Sequence, residues 1–366
     1  MQKKILTVVG TRPNFIKITQ FEKEFAKYPN LFEFRLLHTG QHYDKAMSKV
    51  FFEQLKLREP DYYLGIGASA PGTQMGEIMI KLTEVMTQWR PDLIVVVGDV
   101  NSTLAAALAA NKLGVRIAHL ESGLRSNDLA MPEEINRILT DRITDIFFVT
   151  EQSGMDNLLQ DGHPKNALQF VGNTMIDTLV GFSEEIDAAP ILKDLQVKSG
   201  EYALLTMHRP RNVDFFEPLE RMVQMVSNLC KRFPVVFPVH PRTQKRLEEF
   251  ELDQQFKAIP NLIVSGPMDY LSFQKLIGEA KMVITDSGGI QEETTYRQIP
   301  CLTIRPNTER PSTTSMGTNA LLPFDLDVIE REVVRIENGT YGHGKVPPFW
   351  DGKATQRIVE TLKEIL

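Results

Sequence analysis

The sequence predicts an α/β protein of two doubly wound domains facing a cleft, and three observations carry that prediction. Short β-branched runs alternate with helical periods almost throughout, which is the pattern of parallel sheets covered by helices on both faces. Residues able to do chemistry recur where those runs end. At 366 residues with 42% hydrophobic content, the chain is too long for one compact core and apolar enough for two.

In the first domain, strands are expected over 5–9, 34–38, 93–97, 116–120, 146–149 and 169–171, with helical stretches at 15–27, 73–88 and 102–113 between them. A helix from 174 to about 185 and a polar, proline-containing passage to 201 lead into the second set. Its strands are expected over 202–207, 235–239, 262–264, 282–285 and 301–304. The first domain is therefore placed at 1–172 and the second at 173–352, hinged near Gly172. Doubly wound sheets bind ligands outside the carboxyl ends of their strands, so the turns that follow each strand are where function is sought.

Composition narrows the function. The formal net charge is −6 and the basic residues are scattered rather than striped, so neither nucleic acid nor an anionic membrane is expected as partner. Cys230 and Cys301, the only cysteines, form neither a disulfide framework nor a metal-ligand spacing, which suits a reducing cytoplasm and predicts no metal. Residues 1–10 run directly into a strand, and no apolar run approaches the roughly 18 residues that span a bilayer, so a soluble, unprocessed protein is expected.

The most informative stretch is 285–311. A strand ends in Thr285-Asp286, and Ser287-Gly288-Gly289 turns into a helix carrying Glu293, with Arg310 one strand further on. A helix N-terminus presents N–H groups and partial positive charge, and glycines admit an anion to the backbone, so this reads as a phosphate site. Glu293, one turn in, is placed to accept both hydroxyls of a ribose. The plainer alternative is a strand-to-helix turn that Ser287 merely caps.

The first strand ends in Gly10-Thr11-Arg12-Pro13-Asn14-Phe15-Ile16-Lys17, with a single glycine where a dinucleotide fold would carry three. Arg12 and Lys17 suggest an anion held by side chains, and the loop argues against a bound nicotinamide, so no cofactor is expected. Asp99 ends one buried strand and Glu121 the next, and Met131-Pro132-Glu133-Glu134 then opens a helix. Carboxylates gathered at one sheet mouth suit proton transfer at a sugar carbon, because their environments separate their acidities. Ordinary roles are open to Glu133, Glu134 and Asp99, since acidic first-turn residues complement a helix dipole and Asp99 could cap a helix. In the second domain His208 and His240 both close strands, where an imidazole can protonate a leaving phosphate. His38 and His42 are spaced four apart across Gly40, not on a helix.

Gly-Thr-Arg-Pro at 10–13, Thr-Gly-Gln-His at 39–42, Gly-Asp at 98–99, Glu-Ser-Gly-Leu-Arg at 121–125, Pro-Glu-Glu-Ile-Asn-Arg at 132–137 and Gly-Asn-Thr-Met-Ile-Asp at 172–177, with His208-Arg209, residues 285–293 and Thr-Glu-Arg-Pro at 308–311, together resemble the non-hydrolysing UDP-N-acetylglucosamine 2-epimerases. The resemblance implies a glycosyltransferase-B type fold of two Rossmann-like domains, with a C-terminal helix over 353–366 joining the first. It implies inversion at the sugar's C2 without NAD, by elimination of UDP to 2-acetamidoglucal and re-addition, in supply of a surface-polysaccharide precursor by a homodimer. On it, Arg12, Lys17, His208 and Arg310 would hold the diphosphate. Ser287, Gly288, Gly289 and Glu293 would hold phosphate and ribose, Phe273 would pack on the uracil, and Asp99, Glu121 and Glu133 would be the acid and base.

This chain also departs from the bacterial pattern. It has His208-Arg209-Pro210-Arg211-Asn212 where many bacterial members have His-Arg-Arg-Glu, and Pro13-Asn14 where they have Pro-Glu. Those members bind a second UDP-N-acetylglucosamine as activator through residues matching Gln41 and His42 and through the altered loop, so activation is open here. The wording at 131–137 and 239–243 is closer to a subgroup of archaeal enzymes and epimerases of UDP-2,3-diacetamido-2,3-dideoxyglucuronate. The substituents at C3 and C6 of the substrate stay open, and a glycosyltransferase, a hydrolysing epimerase or a nucleotide-sugar sensor of the same fold are the remaining alternatives.

Overall fold

The computed structural model describes residues 2–40, 52–67 and 69–366. The chain divides into two compact units, Met1–Gly181 with Pro348–Leu366, and Phe182–Pro347. Each is a doubly wound parallel sheet.

In the first unit the strands are β1 (Lys3–Val9), β2 (Phe32–His38), β3 (Tyr62–Tyr63), β4 (Leu93–Val97), β5 (Arg116–Ser122), β6 (Ile146–Val149) and β7 (Leu168–Phe170). They lie in the order β3-β2-β1-β4-β5-β6-β7, every pair parallel. β4 reads Leu-Ile-Val-Val-Val with all five residues buried, as a central strand covered on both faces must. Helix Pro71–Trp89 turns Ile78, Leu82, Met86 and Trp89 inward at helical spacing, packing them with Leu6, Val8, Ile94 and Val96. In helix Asn101–Lys112 the covering face is alanine, and small side chains let its backbone lie close to the sheet.

The second unit repeats the plan with β8 (Ala203–Thr206), β9 (Val235–Pro238), β10 (Leu262–Ser265), β11 (Met282–Thr285), β12 (Cys301–Ile304) and β13 (Asn319–Leu322). The order is β10-β9-β8-β11-β12-β13, again parallel. Helix Phe216–Cys230 buries Leu219, Met222, Val223, Val226 and Leu229 on one side of this sheet. In both units the strand order reverses between two central strands, β1 and β4 in one, β8 and β11 in the other. Chain connections leave in opposite directions there, which opens a crevice at the carboxyl ends.

The structure differs from the sequence expectations at two strands and the boundary between units, and the helix expected over 15–27 is two short ones, Arg12–Ile16 and Phe21–Phe25. β3 and β13, both edge strands, were not expected: β3 is two residues long and β13 begins with Asn319, a poor strand former. The units divide after Gly181, not at 172, because helix Thr174–Gly181 packs with the first unit. There its Thr178 hydroxyl donates to the Ile16 carbonyl and the Asp177 carboxylate accepts from the N–H groups of Ala354 and Thr355. Among the described residues, no helix is long and apolar enough to cross a membrane.

Candidate active site

At the switch point of the first unit, Gly10 follows β1 because nothing larger fits. A β-carbon there would stand 2.2 Å from the Ser102 hydroxyl oxygen. Asn14 Oδ1 then accepts from the N–H groups of Gly10 and Thr11, each at 3.1 Å, while its Nδ2 donates to Val97 O at 3.2 Å, tying the β1 turn to the end of β4. The sequence alone gave no hint of this bridging by Asn14. Arg12 opens the short helix Arg12–Ile16, partly exposed on the same turn.

Lys17 is expected as an anion clamp, but it is buried and ion-paired with Glu121, itself only 5% exposed. Lys17 Nζ and Glu121 Oε2 converge on Gly98, where a β-carbon would meet them at 3.2 and 3.4 Å. Gly98 has φ +69°. A side chain at this position would both strain the backbone and displace the ion pair. The next residue is Asp99, whose Oδ2 accepts from Arg137 Nη2 at 2.6 Å and whose carbonyl accepts from Asn136 Nδ2 at 2.9 Å.

Helix Pro132–Arg142 supplies both partners. Glu134, adjacent to the predicted Glu133, is the buried member of the pair: it accepts from the N–H groups of Ser126 and Asn127 and from Arg137 Nη1 at 2.7 Å, so its work is structural. Glu133 is exposed. At i, i+3 and i+4 it shares a helix face with Asn136 and Arg137, the face that meets Asp99. Sequence reasoning missed Arg137, although its place one turn after Glu133 was the available signal. Gln41 and His42, the candidates for an activator site, lie outside the described residues.

In the second unit, the loop after β8 hangs on Asp286, which has no exposed surface. Its carboxylate accepts from the N–H groups of His208 and Arg209 at 3.0 and 2.8 Å and from Asn212 Nδ2 at 3.0 Å, with His208 Nδ1 at 3.2 Å. The His208 ring is thereby held through Nδ1. His240 stacks on it with ring centroids 5.2 Å apart. Burial and the neighbouring His208 hold the His240 imidazole below its usual range, and its Nδ1 accepts from the Arg242 N–H.

Ser287 precedes helix Gly288–Arg297 in an extended conformation without a side-chain cap, so the plainer role considered for it is not the one it performs. A β-carbon on Gly288 would lie 3.0 Å from Arg310 Nη1 and 3.7 Å from Arg305 Nη1. Two guanidinium groups thus stand over the glycine turn. Arg310 is anchored by buried Glu292 at 2.8 Å, and Arg305 by Glu309 through two hydrogen bonds of 2.9 and 3.1 Å. Anchoring fixes both guanidinium groups in place over the turn. Arg305 was not singled out in the sequence. Glu293 is buried, and burial, reinforced by the charge of Glu292, pushes its carboxyl up to about 8. Phe273, half-buried on helix Tyr270–Gly278, packs with the apolar cluster that includes Ile290.

The family model described as UDP-N-acetylglucosamine 2-epimerase matches residues 23–363. The chain is 38% identical to the UDP-N-acetylglucosamine 2-epimerase of Methanococcus maripaludis, over 98% of each chain. It is also 38% identical to the UDP-2,3-diacetamido-2,3-dideoxy-D-glucuronate 2-epimerase of Pseudomonas aeruginosa, over 99% of this chain and 100% of that one. Among solved structures, the Methanocaldococcus jannaschii UDP-GlcNAc 2-epimerase, in complex with UDP-GlcNAc and UDP, superposes with a TM-score of 0.89 at 38% identity, covering 99% of both chains. With its two parallel sheets of seven and six strands, this glycosyltransferase-B-like two-domain protein is an epimerase of UDP-sugars and belongs to the UDP-N-acetylglucosamine 2-epimerase family.

Proposed function

We propose that the protein interconverts UDP-N-acetylglucosamine and UDP-N-acetylmannosamine without a nicotinamide cofactor, by elimination of UDP and its re-addition. The observation that carries this reading is the buried Lys17–Glu121 pair over Gly98, one residue from Asp99. The proton at C2 is not acidic. Its removal becomes feasible when the C1–O bond to UDP breaks, so that positive charge builds on the ring and carboxylates stabilise it. The pair of electrons from C2–H then forms the C1=C2 bond of 2-acetamidoglucal, and the proton passes to a carboxylate. Return of a proton to C2 from the opposite face, with attack of the diphosphate oxygen on C1, completes the epimerisation.

In this assignment the second unit binds the nucleotide. The N-terminal turn at Ser287–Gly289, Arg310 and Arg305 take the phosphates, Glu293 the ribose, Phe273 the base, and His208 the charge that develops on the leaving diphosphate. From the first unit, Asp99, Glu121 and Glu133 serve as acid and base and Arg12 as an anion contact. Lys17 holds Glu121 in place through their buried ion pair. A second reading, with a 2,3-diacetamido uronic acid as the sugar, is favoured by equal identity to the Pseudomonas aeruginosa enzyme.

The test is proton NMR of UDP-N-acetylglucosamine with the protein in deuterated water and no added cofactor. Both the gluco and manno forms should acquire deuterium at C2, with traces of UDP and 2-acetamidoglucal. Asp99→Asn, Glu121→Gln and Glu133→Gln should each lower turnover by about 10²-fold or more while UDP still binds. Epimer formation with C2 still protonated would exclude the mechanism. Turnover of the diacetamido-uronate nucleotide alone would select the second reading.

A further inference from the structure

Glu121 has φ +67°, in the left-handed region that a glutamate adopts at a cost of roughly 1–3 kcal/mol. It sits in an irregularity of β5, where the register against β6 shifts between Leu120 and Ser122. Gly123, also left-handed at φ +79°, follows at a point where any β-carbon would meet the Gly154 carbonyl oxygen at 2.3 Å. A strained backbone of this kind persists only if its surroundings over-determine it. The restraint is visible on both sides of Glu121.

His119 and Asp141 are both fully buried. On the N-terminal side of Glu121, the His119 ring spans two elements, with Nδ1 2.7 Å from Asp141 Oδ1 and Nε2 2.8 Å from the carbonyl oxygen of Gly98. Each ring nitrogen thus faces an oxygen of a different element, which fixes the ring between them. On the C-terminal side, Asp141 Oδ2 accepts from the Gly123 N–H at 3.1 Å and from Arg125 Nη1 at 2.7 Å. Burial opposes ionisation of Asp141, but its hydrogen bond and charge interaction with His119 and the Arg125 guanidinium outweigh it, holding the carboxyl below its usual range. One carboxylate on helix Pro132–Arg142 therefore grips residues 119, 123 and 125. Through the imidazole it also reaches the carbonyl immediately before Asp99.

We propose that His119 and Asp141 are positioning residues for epimerisation, clamping the chain on either side of Glu121 and before Asp99 so that both carboxylates stand in the geometry that proton transfer at C2 requires. This rests on the assignment of Asp99 and Glu121 to the chemistry given above. Neither His119 nor Asp141 needs to touch the sugar. Misplacing a proton-transfer group by about 1 Å is enough to cost on the order of 10²-fold in rate, whereas the phosphate and ribose contacts assigned to the second unit are untouched.

The experiment uses the full chain with Asp141→Asn, which keeps the size and removes the charge, and His119→Gln as a second variant should the first fail to fold. Below the melting midpoint of each variant, kcat should fall about 10²-fold, with KM and UDP affinity within about threefold of wild type and the pH–rate profile displaced. A crystal structure of the variant should show Glu121 leaving the left-handed region and its pairing with Lys17 broken. A variant with wild-type kcat and pH profile, or whose activity loss merely tracks the fraction unfolded, overturns the proposal. If wild type does not turn over UDP-N-acetylglucosamine, the substrate reading fails on its own. The crystal structure then decides separately, since an unchanged Glu121 in the variant rejects the clamp.

Discussion

Glu293 is buried deeply enough for its carboxyl to titrate near 8 in the fold, against an ordinary value near 4.5. The folded chain holds that proton more tightly than the unfolded chain, so the contribution to stability is complete below about 4.5 and is lost as pH rises through 8. Wild type should therefore lose up to a few kcal/mol from this residue between pH 5 and 9, and Glu293→Gln should not. Denaturant melts of both proteins across that range check the sign, and parallel slopes would show that Glu293 is not the group responsible. At this scale the sequence was legible where function is written in neighbouring residues. Ser287-Gly288-Gly289 followed by a helix is a local pattern, and the structure has that helix begin at Gly288. Lys17 and Glu121 are 104 residues apart, and only the sheet order brings them together. The same holds for Arg305 beside Gly288, and for the left-handed Glu121, since nothing in a lone glutamate signals a positive φ.

Helix Ala354–Ile365 starts without a side-chain cap of its own from Lys353. Its first two N–H groups are instead met by Asp177 at 3.0 and 2.6 Å, a carboxylate far away in sequence that also complements the positive end of the helix dipole. Burial keeps that carboxyl above the usual carboxylate range in spite of these bonds. Asp177→Ala leaves two buried donors without their acceptor and should cost roughly 2 kcal/mol, with Asp177→Asn costing about half, as read from chemical denaturation of the full chain. The same helix pair explains the displaced boundary between units. Gly172, with its φ of +90°, looks like a hinge in sequence, but it is packed against Phe349. Most strands were legible because β4 is an unbroken apolar run and β8 and β11 are apolar up to a closing threonine. β3 and β13 were not, because Tyr62–Tyr63 is too short to stand out as a run and Asn319–Leu322 opens on a poor strand former.

The first unit is discontinuous in sequence, whereas the second is one uninterrupted stretch with apolar clusters on both faces of its sheet. Residues 182–347 expressed alone should fold cooperatively and bind UDP. Residues 1–181 alone should not, because they lack Trp350, whose indole N–H donates to the Thr150 carbonyl at 2.9 Å, and the fully buried Ile358, Val359 and Leu362. At roughly 1.5–3 kcal/mol for each buried apolar side chain, that loss is comparable with the whole stability of a typical domain. Calorimetry of both fragments, and of the first with 348–366 supplied as a peptide, checks this; a cooperative transition in 1–181 alone would contradict it. The doubled crossing also sets an order of events during translation. While the ribosome, adding roughly 5–20 residues per second, is still threading the second unit, the first waits with an open apolar seam where its closing helix will dock. The second unit can mature as soon as it emerges, so the demand for chaperones during biosynthesis falls on the part of the protein made first.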